Sequence, residues 1–349
     1  MSKKRNFILS SILLTISSLT IASEAPYHSS IAPLIINGDH ADVSNFPYFA
    51  SLYFDRISES NYYGNICGAT IYNQEFVLTA AHCVSSANDS FKNLFLKVAT
   101  GVQYEEAGVQ GGYQTALAIP IKEIYRHPDY VNSNDDFFPN DIALVKLASP
   151  LPTSQVSPAS YVSNNVASDK NVYRSDSEKL LIIGHGKNQT LGGGITADTA
   201  EQLEQAVMIY TPSCNSHGST GNKKLCVLSE IKSDGKYSSA CSGDSGGPLL
   251  WLDNGEYKQI GVASYATKDC GLVEDPESGR PYGYASAYTE IFAYQDWIDD
   301  VISGKVSSSF VVTDEAKAKF KNYQVDNGAS LGFYGLLMLF VAGLSRKKK

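Results

Sequence analysis

The chain has 349 residues, 43% hydrophobic and 18% charged; that balance excludes wholesale disorder, and no run of twenty apolar residues suggests a membrane-embedded bundle. The length accommodates one large all-β unit, or two modest domains, around a buried core. Its net charge is −8, but Lys3, Lys4 and Arg5 at one end and Arg346, Lys347, Lys348 and Lys349 at the other mask a remainder of −15. A body that acidic is a poor match for nucleic acid or an anionic membrane surface.

In chain order, residues 1–22 read as an export signal: a basic start, an apolar stretch from Phe7 to Ile21, then small residues. The six cysteines then belong to an oxidising compartment. Their even number and the lack of CxxC spacing favour three disulfides over a metal site, with the connectivity open. Residues 23–34 read as a propeptide. From Ile35 to Ser303 short β-type runs alternate with Gly, Asn, Asp and Ser; the strongest lie at 69–72, 76–79, 142–147, 180–183, 248–251 and 260–263. Such spacing predicts a barrel or sandwich and not alternating βα units. A helix rich in Trp, Ile and Asp is predicted over 294–302. Residues 304–327 are Ser- and Lys-rich and read as an exposed linker.

The tail, 328–349, comprises Gly328-Ala329-Ser330, an apolar run from Leu331 to Leu344 and a basic end. Fourteen helical residues span about 21 Å against a hydrocarbon core of about 30 Å, short for a permanent anchor. The basic end is expected to hold the segment on the cytoplasmic side during export.

Three segments carry chemistry. Cys241-Ser242-Gly243-Asp244-Ser245-Gly246-Gly247-Pro248 brackets a serine with glycines, which lets the backbone turn the hydroxyl outward and aim neighbouring N–H groups at one point. Serine is a weak nucleophile and needs a base. Leu78-Thr79-Ala80-Ala81-His82-Cys83 offers one, and Asn140-Asp141-Ile142-Ala143-Leu144 offers an acid opening an apolar strand. Taken singly, the serine loop is an ordinary turn, the histidine a packing residue and the aspartate a cap.

Together, in the order His, Asp, Ser, the three segments resemble the trypsin/chymotrypsin family of serine proteases, over most of residues 35–303. The resemblance implies two packed six-stranded antiparallel β-barrels with a C-terminal helix. It implies Ser245 as nucleophile, His82 as general base, Asp141 as the group orienting the base, and the N–H groups of Gly243 and Ser245 as the oxyanion hole. No cofactor or metal is expected, and activity should fall as the pH drops through roughly 6 to 7. Ile35-Ile36-Asn37-Gly38 resembles the family's new N-terminus after activation, whose amino group would pair with Asp244. The implied disulfides are Cys67 with Cys83, Cys214 with Cys226 and Cys241 with Cys270.

The same resemblance places Ser239 at the floor of the specificity pocket, Ala266 and Ser286 on its walls, Tyr265 on the substrate-lining segment, and Ser264 in support of Asp141. Tyr265 and His185 stand where the family usually has tryptophan, and His185 is read as a loop or packing residue and not a second base. His28, His40, His127 and His217 are expected to be exposed. An uncharged, narrowed pocket predicts cleavage after medium apolar residues. Leu34, the residue before Ile35, is of that kind, so self-activation of the zymogen after Leu34 is expected. The tail resembles the sorting tails of Gram-negative secreted proteases, which implies a rhomboid-type sorting protease and the secretion machinery as partners. Such an enzyme is expected to be a monomer, extracellular or surface-attached, acting on protein or peptide substrates. The alternative from another class is a protease-shaped binding protein, which would be expected to lack a member of the His82, Asp141 and Ser245 set.

Overall fold

A computed structural model describes residues 35–320 except 86–89, 106–107, 134, 163–169, 189–197, 200–201, 217–222, 234, 268–269 and 275–278. The export signal, the propeptide and the sorting tail therefore lie outside the described residues, as do His28 and His217.

Twelve strands form two closed barrels. The first is built from β1 (Phe49–Arg56), β2 (Tyr62–Ile71), β3 (Phe76–Thr79), β4 (Leu96–Thr100), β5 (Leu117–Arg126) and β6 (Ala143–Leu147). These close as a ring in the order β1-β2-β3-β6-β5-β4, every pair antiparallel. The second uses β7 (Leu180–Gly184), β8 (Glu204–Thr211), β9 (Lys224–Leu228), β10 (Pro248–Asp253), β11 (Glu256–Ala266) and β12 (Ser286–Glu290). Its ring runs β7-β8-β9-β12-β11-β10, again antiparallel, so the second barrel repeats the strand order of the first. Closing each sheet removes its free edges, which an open sheet of this length would expose to unwanted pairing.

Each barrel has its own apolar centre. Leu52, Ile71, Val77, Leu78, Val98, Ile124, Leu144 and Val145 fill the first. Ile35, Leu180, Ile182, Met208, Leu225, Val227, Leu249 and Tyr288 fill the second. Complete burial of one such aliphatic side chain contributes about 1.5–3 kcal/mol. The helix Gln295–Ile302 follows a 3-10 turn at Ile291–Tyr294 and seals the first core with Ile298 and Val301. The disulfides Cys67–Cys83, Cys214–Cys226 and Cys241–Cys270 are formed.

The stretch read as a linker from residue 304 is folded as far as Phe320. Phe310–Val311 adds a two-residue strand to β5, pairing Phe310 with Ile124. Residues 314–320 are helical, and Phe320 is buried against Leu94 and Phe95. Apolar side chains at 310, 312, 316 and 320 are spaced widely among Ser, Lys and Asp, so a composition average hides the face they form. No helix among the described residues is long and apolar enough to cross a membrane.

Candidate active site

The turn after β3 and the start of β6 bring His82 and Asp141 together. His82 sits in a 3-10 turn, Ala81–Val84, directly after the buried strand β3, and the Cys67–Cys83 bridge ties that turn to β2. Asp141 is wholly buried and receives the His82 main-chain N–H on Oδ1 at 2.9 Å, while His82 Nδ1 lies 2.8 Å from Oδ2. With the carboxylate ionised, that distance sets the tautomer: Nδ1 carries the hydrogen and donates it, leaving Nε2 as the free base. The Ser264 hydroxyl donates to the same Oδ2 at 2.6 Å, and the Thr289 hydroxyl donates to the Asp141 main-chain carbonyl at 2.9 Å. Burial by itself would raise the Asp141 carboxyl. The charge and hydrogen bond of His82, the Lys224 cation and the Ser264 hydroxyl together hold it below its ordinary value instead.

Ser245 lies in the turn between the second barrel's pocket and the first barrel. Its carbonyl accepts the Gly68 N–H at 2.8 Å, and the N–H of Gly246 is held by the Ala263 carbonyl at 2.8 Å. Gly246 has φ +82, and a Cβ there would come within 2.1 Å of Thr79 Oγ1 and 2.4 Å of the Gly68 carbonyl, so only glycine lets the turn approach β3 this closely. Gly243 also has a positive φ, +105. The N–H groups of Gly243 and Ser245 have no acceptor among the described residues. Two uncommitted N–H groups flanking a serine are the arrangement a developing oxyanion requires.

Asp244 turns its carboxylate towards Gly184 and Gly186 of the second barrel. It accepts N–H bonds from Gly186 at 2.7 Å and Cys241 at 2.8 Å, and a Cβ on Gly184 or Gly186 would lie 2.0 Å from its carboxylate oxygens. Burial overrides these bonds and pushes the carboxyl up to about 7, with Glu204 adding to the rise. Ile35 is fully buried in the same barrel, and Ile36 pairs through its backbone with Ser239. His185, between the two glycines, is buried against Phe49 at 5.7 Å between ring centroids, and burial pushes its imidazole down to about 4. It packs and has no exposed face with which to act as a second base. His40 is half-exposed beside Glu204, whereas His127, expected to be exposed, is half-buried against Tyr294 and Trp297.

A cavity of about 470 Å3 opens beside Ser245, lined among others by Ala240, Ser264, Tyr265, Ala266, Thr267 and Cys270. Ser239 and Ser286 sit one layer behind this lining. Ser286 Oγ accepts the Ala240 N–H at 3.0 Å and lies 3.2 Å from Ser239 Oγ, which donates to the Ala240 carbonyl at 2.7 Å. Their hydroxyls are thus committed to the backbone and to each other, while Ala240 and Thr267 are among the residues that line the pocket. No carboxylate is among the described lining residues.

Sequence reasoning missed Phe137 and Phe138, which sit at positive φ just before Asp141. Phe138 lies 6.0 Å from the His82 ring and 6.1 Å from the Tyr265 ring, and Phe137 lies 6.2 Å from Tyr265, so the pair joins the histidine to a pocket-lining ring. Paired phenylalanines in an acidic, Asn-rich loop were the available signal. Lys224 and Thr289, behind Asp141, were also missed. Among the described residues Cys67, His82 and Cys83 lie close enough to suggest a metal cluster, but both sulfurs are in the disulfide and have no thiolate to offer.

Two barrels of one strand order, with a buried Asp holding a His on one and a glycine-bracketed serine on the other, define the architecture of a serine hydrolase. Comparison with known proteins agrees. The family model described as Trypsin matches residues 35–298. The chain is 30% identical over 275 residues to chymotrypsin-like elastase family member 1 of Homo sapiens, covering 77% of this chain and 92% of that protein. It is 26% identical over 283 residues to melanization protease 1 of Drosophila melanogaster, covering 76% of this chain and 65% of that protein. Phenoloxidase-activating factor 1 of Holotrichia diomphalia is 27% identical over 281 residues, with 77% and 70% covered. The chain belongs to the trypsin family and is a serine-type endopeptidase.

Proposed function

We propose that His82, Asp141 and Ser245 are its catalytic triad and that it is an exported zymogen cutting after medium apolar residues. The observation that carries this reading is the Asp141 carboxylate. It is buried, held by three hydrogen bonds, and fixes the His82 ring through Nδ1, which leaves Nε2 as the nitrogen available to take the Ser245 proton. Ser245 Oγ attacks the scissile carbonyl carbon as Nε2 takes its proton. The carbonyl oxygen, now negative, is held by the N–H groups of Gly243 and Ser245. Collapse of this intermediate breaks the C–N bond, and the imidazolium returns the proton to the departing amine. Water, deprotonated by the same imidazole, then cleaves the acyl-enzyme ester.

The specificity reading is supported by the lining of the pocket, which holds Ala240, Ala263 and Ala266 and, among the described residues, no carboxylate. A substrate ammonium or guanidinium would be desolvated there with no anion to offset the cost, while Ala, Val, Leu or Met would fit. Cleavage of the 34–35 bond would free the Ile35 amino group, and the buried, unneutralised Asp244 carboxyl is the acceptor it would pair with. The export signal and the tail from residue 328 support secretion from a Gram-negative cell with trimming by a rhomboid-type protease.

A serine-directed organophosphonate should label the wild type at Ser245. Ser245→Ala should lower turnover by on the order of a million-fold with folding intact. Comparable activity in the variant rejects the triad. A peptide library showing preference for Lys or Arg rejects the pocket reading, and an intact Lys349 on extracellular protein rejects the trimming.

A further inference from the structure

Behind Asp141 lies a cation that the hydrolytic steps do not call for. Lys224 opens β9 and is 1% exposed. Its ammonium group donates to Ser264 Oγ at 2.8 Å and to Thr289 Oγ1 at 3.0 Å. Each of those hydroxyls in turn donates to Asp141, Ser264 to the carboxylate at 2.6 Å and Thr289 to the main-chain carbonyl at 2.9 Å. A hydroxyl has one hydrogen, and an N–H arriving on its lone pair leaves that hydrogen to point elsewhere. Lys224 therefore sets both rotors toward Asp141, from two adjacent strands, β11 and β12.

Burying an ammonium group is costly, and an uncharged side chain of equal length would fill the same space at less cost. Among the described residues, the anion acting on Lys224 is Asp141, two short hydrogen bonds away. The Tyr265 ring, which also lines the substrate pocket, lies 5.4 Å from the ammonium.

We propose that Lys224 is a positioning residue of the triad, orienting Ser264 and Thr289 onto Asp141 and, as a buried cation, tempering the hold of the Asp141 carboxylate on the His82 imidazolium. The proposal rests on the triad reading given above. Its consequence is a protease whose rate depends on pH through two coupled groups instead of one. Burial, opposed by the charge of Asp141, brings the Lys224 ammonium down to about 8, inside the working range of such an enzyme.

The tyrosines facing this network keep their protons between neutral pH and 8. Tyr265 on β11, Tyr288 on β12, and Tyr130 and Tyr294 around Asp141 are all held above the ordinary tyrosine range by burial. Glu290, next along β12, is committed to Arg174, and the neighbouring Lys223 turns away to Asn140 and the Tyr294 ring. The hydrogen bonds from Lys224 survive its deprotonation, because a neutral amine keeps two N–H groups, so charge and geometry can be tested apart.

The test measures kcat and KM on a chromogenic peptide from pH 5 to 9.5 for activated wild type, Lys224→Met and Lys224→Gln. Lys224→Met should lower kcat about tenfold with KM nearly unchanged, as expected for losing oriented hydrogen bonds that act through another residue. In both variants the acid limb of kcat should move upward by about half a pH unit to one unit, because Asp141 then acts on the imidazolium without an opposing charge. Lys224→Gln, which keeps an N–H donor, should recover most of kcat but keep the displaced limb. In the wild type, the NMR signal of the His82 Nδ1 proton should show a second inflection near pH 8. An unmoved acid limb in either folded variant, or a single inflection in the wild type, overturns the proposal. If neither variant folds, the wild-type titration decides alone. Ser245→Ala run in parallel separates the two readings: activity remaining there rejects the triad itself, whatever Lys224 does.

Discussion

The uncleaved chain should lose stability as the pH rises from 4 to 8, and Asp244→Asn should remove the part of that loss that Asp244 causes. The Asp244 carboxyl is raised by burial from 3.8 to about 7. A carboxyl raised on folding binds its proton more tightly in the folded chain than in the unfolded one. Its contribution is complete below about pH 3.8 and is lost progressively as the pH rises through about 7. About three units at 1.36 kcal/mol each give about 4 kcal/mol, or about 10 °C in Tm for a domain of this size. The assay is calorimetry at fixed scan rate on two chains, Ser245→Ala and Ser245→Ala with Asp244→Asn, so that neither can cut itself. Between pH 4 and 8 the first should fall by about 10 °C more than the second. Glu204 and Glu105, also raised by burial, are present in both chains, so their own contributions largely cancel in the difference. Cleavage before Ile35 should then reverse the slope, because an ammonium placed beside the carboxylate favours its ionised form. Parallel pH dependence in the two uncleaved chains would refute the argument that Asp244 is buried without a counter-charge before activation.

Gly186→Ala would set a Cβ 2.0 Å from Asp244 Oδ2; displacing that carboxylate should disturb the adjacent Gly243–Ser245 turn and lower kcat/KM by roughly 100-fold. Arg174→Met would strand the buried Glu290, which Arg174 meets at 2.7 Å and 3.2 Å. The cost should be about 3–5 kcal/mol by denaturant midpoint, partly recovered by adding Glu290→Gln. Ser286→Gly would remove the hydroxyl that holds the Ala240 N–H. That should deepen the pocket and raise the ratio of cleavage after Phe to cleavage after Ala by about tenfold in a peptide library.

Much of this protein was legible in one dimension. The runs at 76–79, 180–183 and 248–251 are strands because contiguous β-branched and aliphatic residues bounded by turn-formers have few other ways to be buried. His82, Asp141 and Ser245 stood out because each lies in a short local motif whose glycines or small residues serve a local backbone purpose. What the sequence could not disclose are contacts made across long chain separations. The tail of the domain, 304–320, is polar on average, and only its packing on the first barrel reveals the apolar spacing from Phe310 to Phe320. Ser239 and Ser286 were read as facing the substrate, yet they lie 47 positions apart and turn their hydroxyls on each other. Lys224 carries no motif at all: the second of two adjacent lysines, in Lys223-Lys224-Leu225-Cys226, reads as a surface charge. It became part of the site only when barrel closure placed β9 beside β12, and β12 beside β11, so that the two hydroxyls lying between it and Asp141 could pass its influence on. Local sequence determined the strands and the three chemical groups, because those depend on neighbours along the chain. Tertiary closure decided pocket depth, the buried charge behind the triad and the seating of the C-terminal segment, because each is an interaction between residues that meet only when the sheets close.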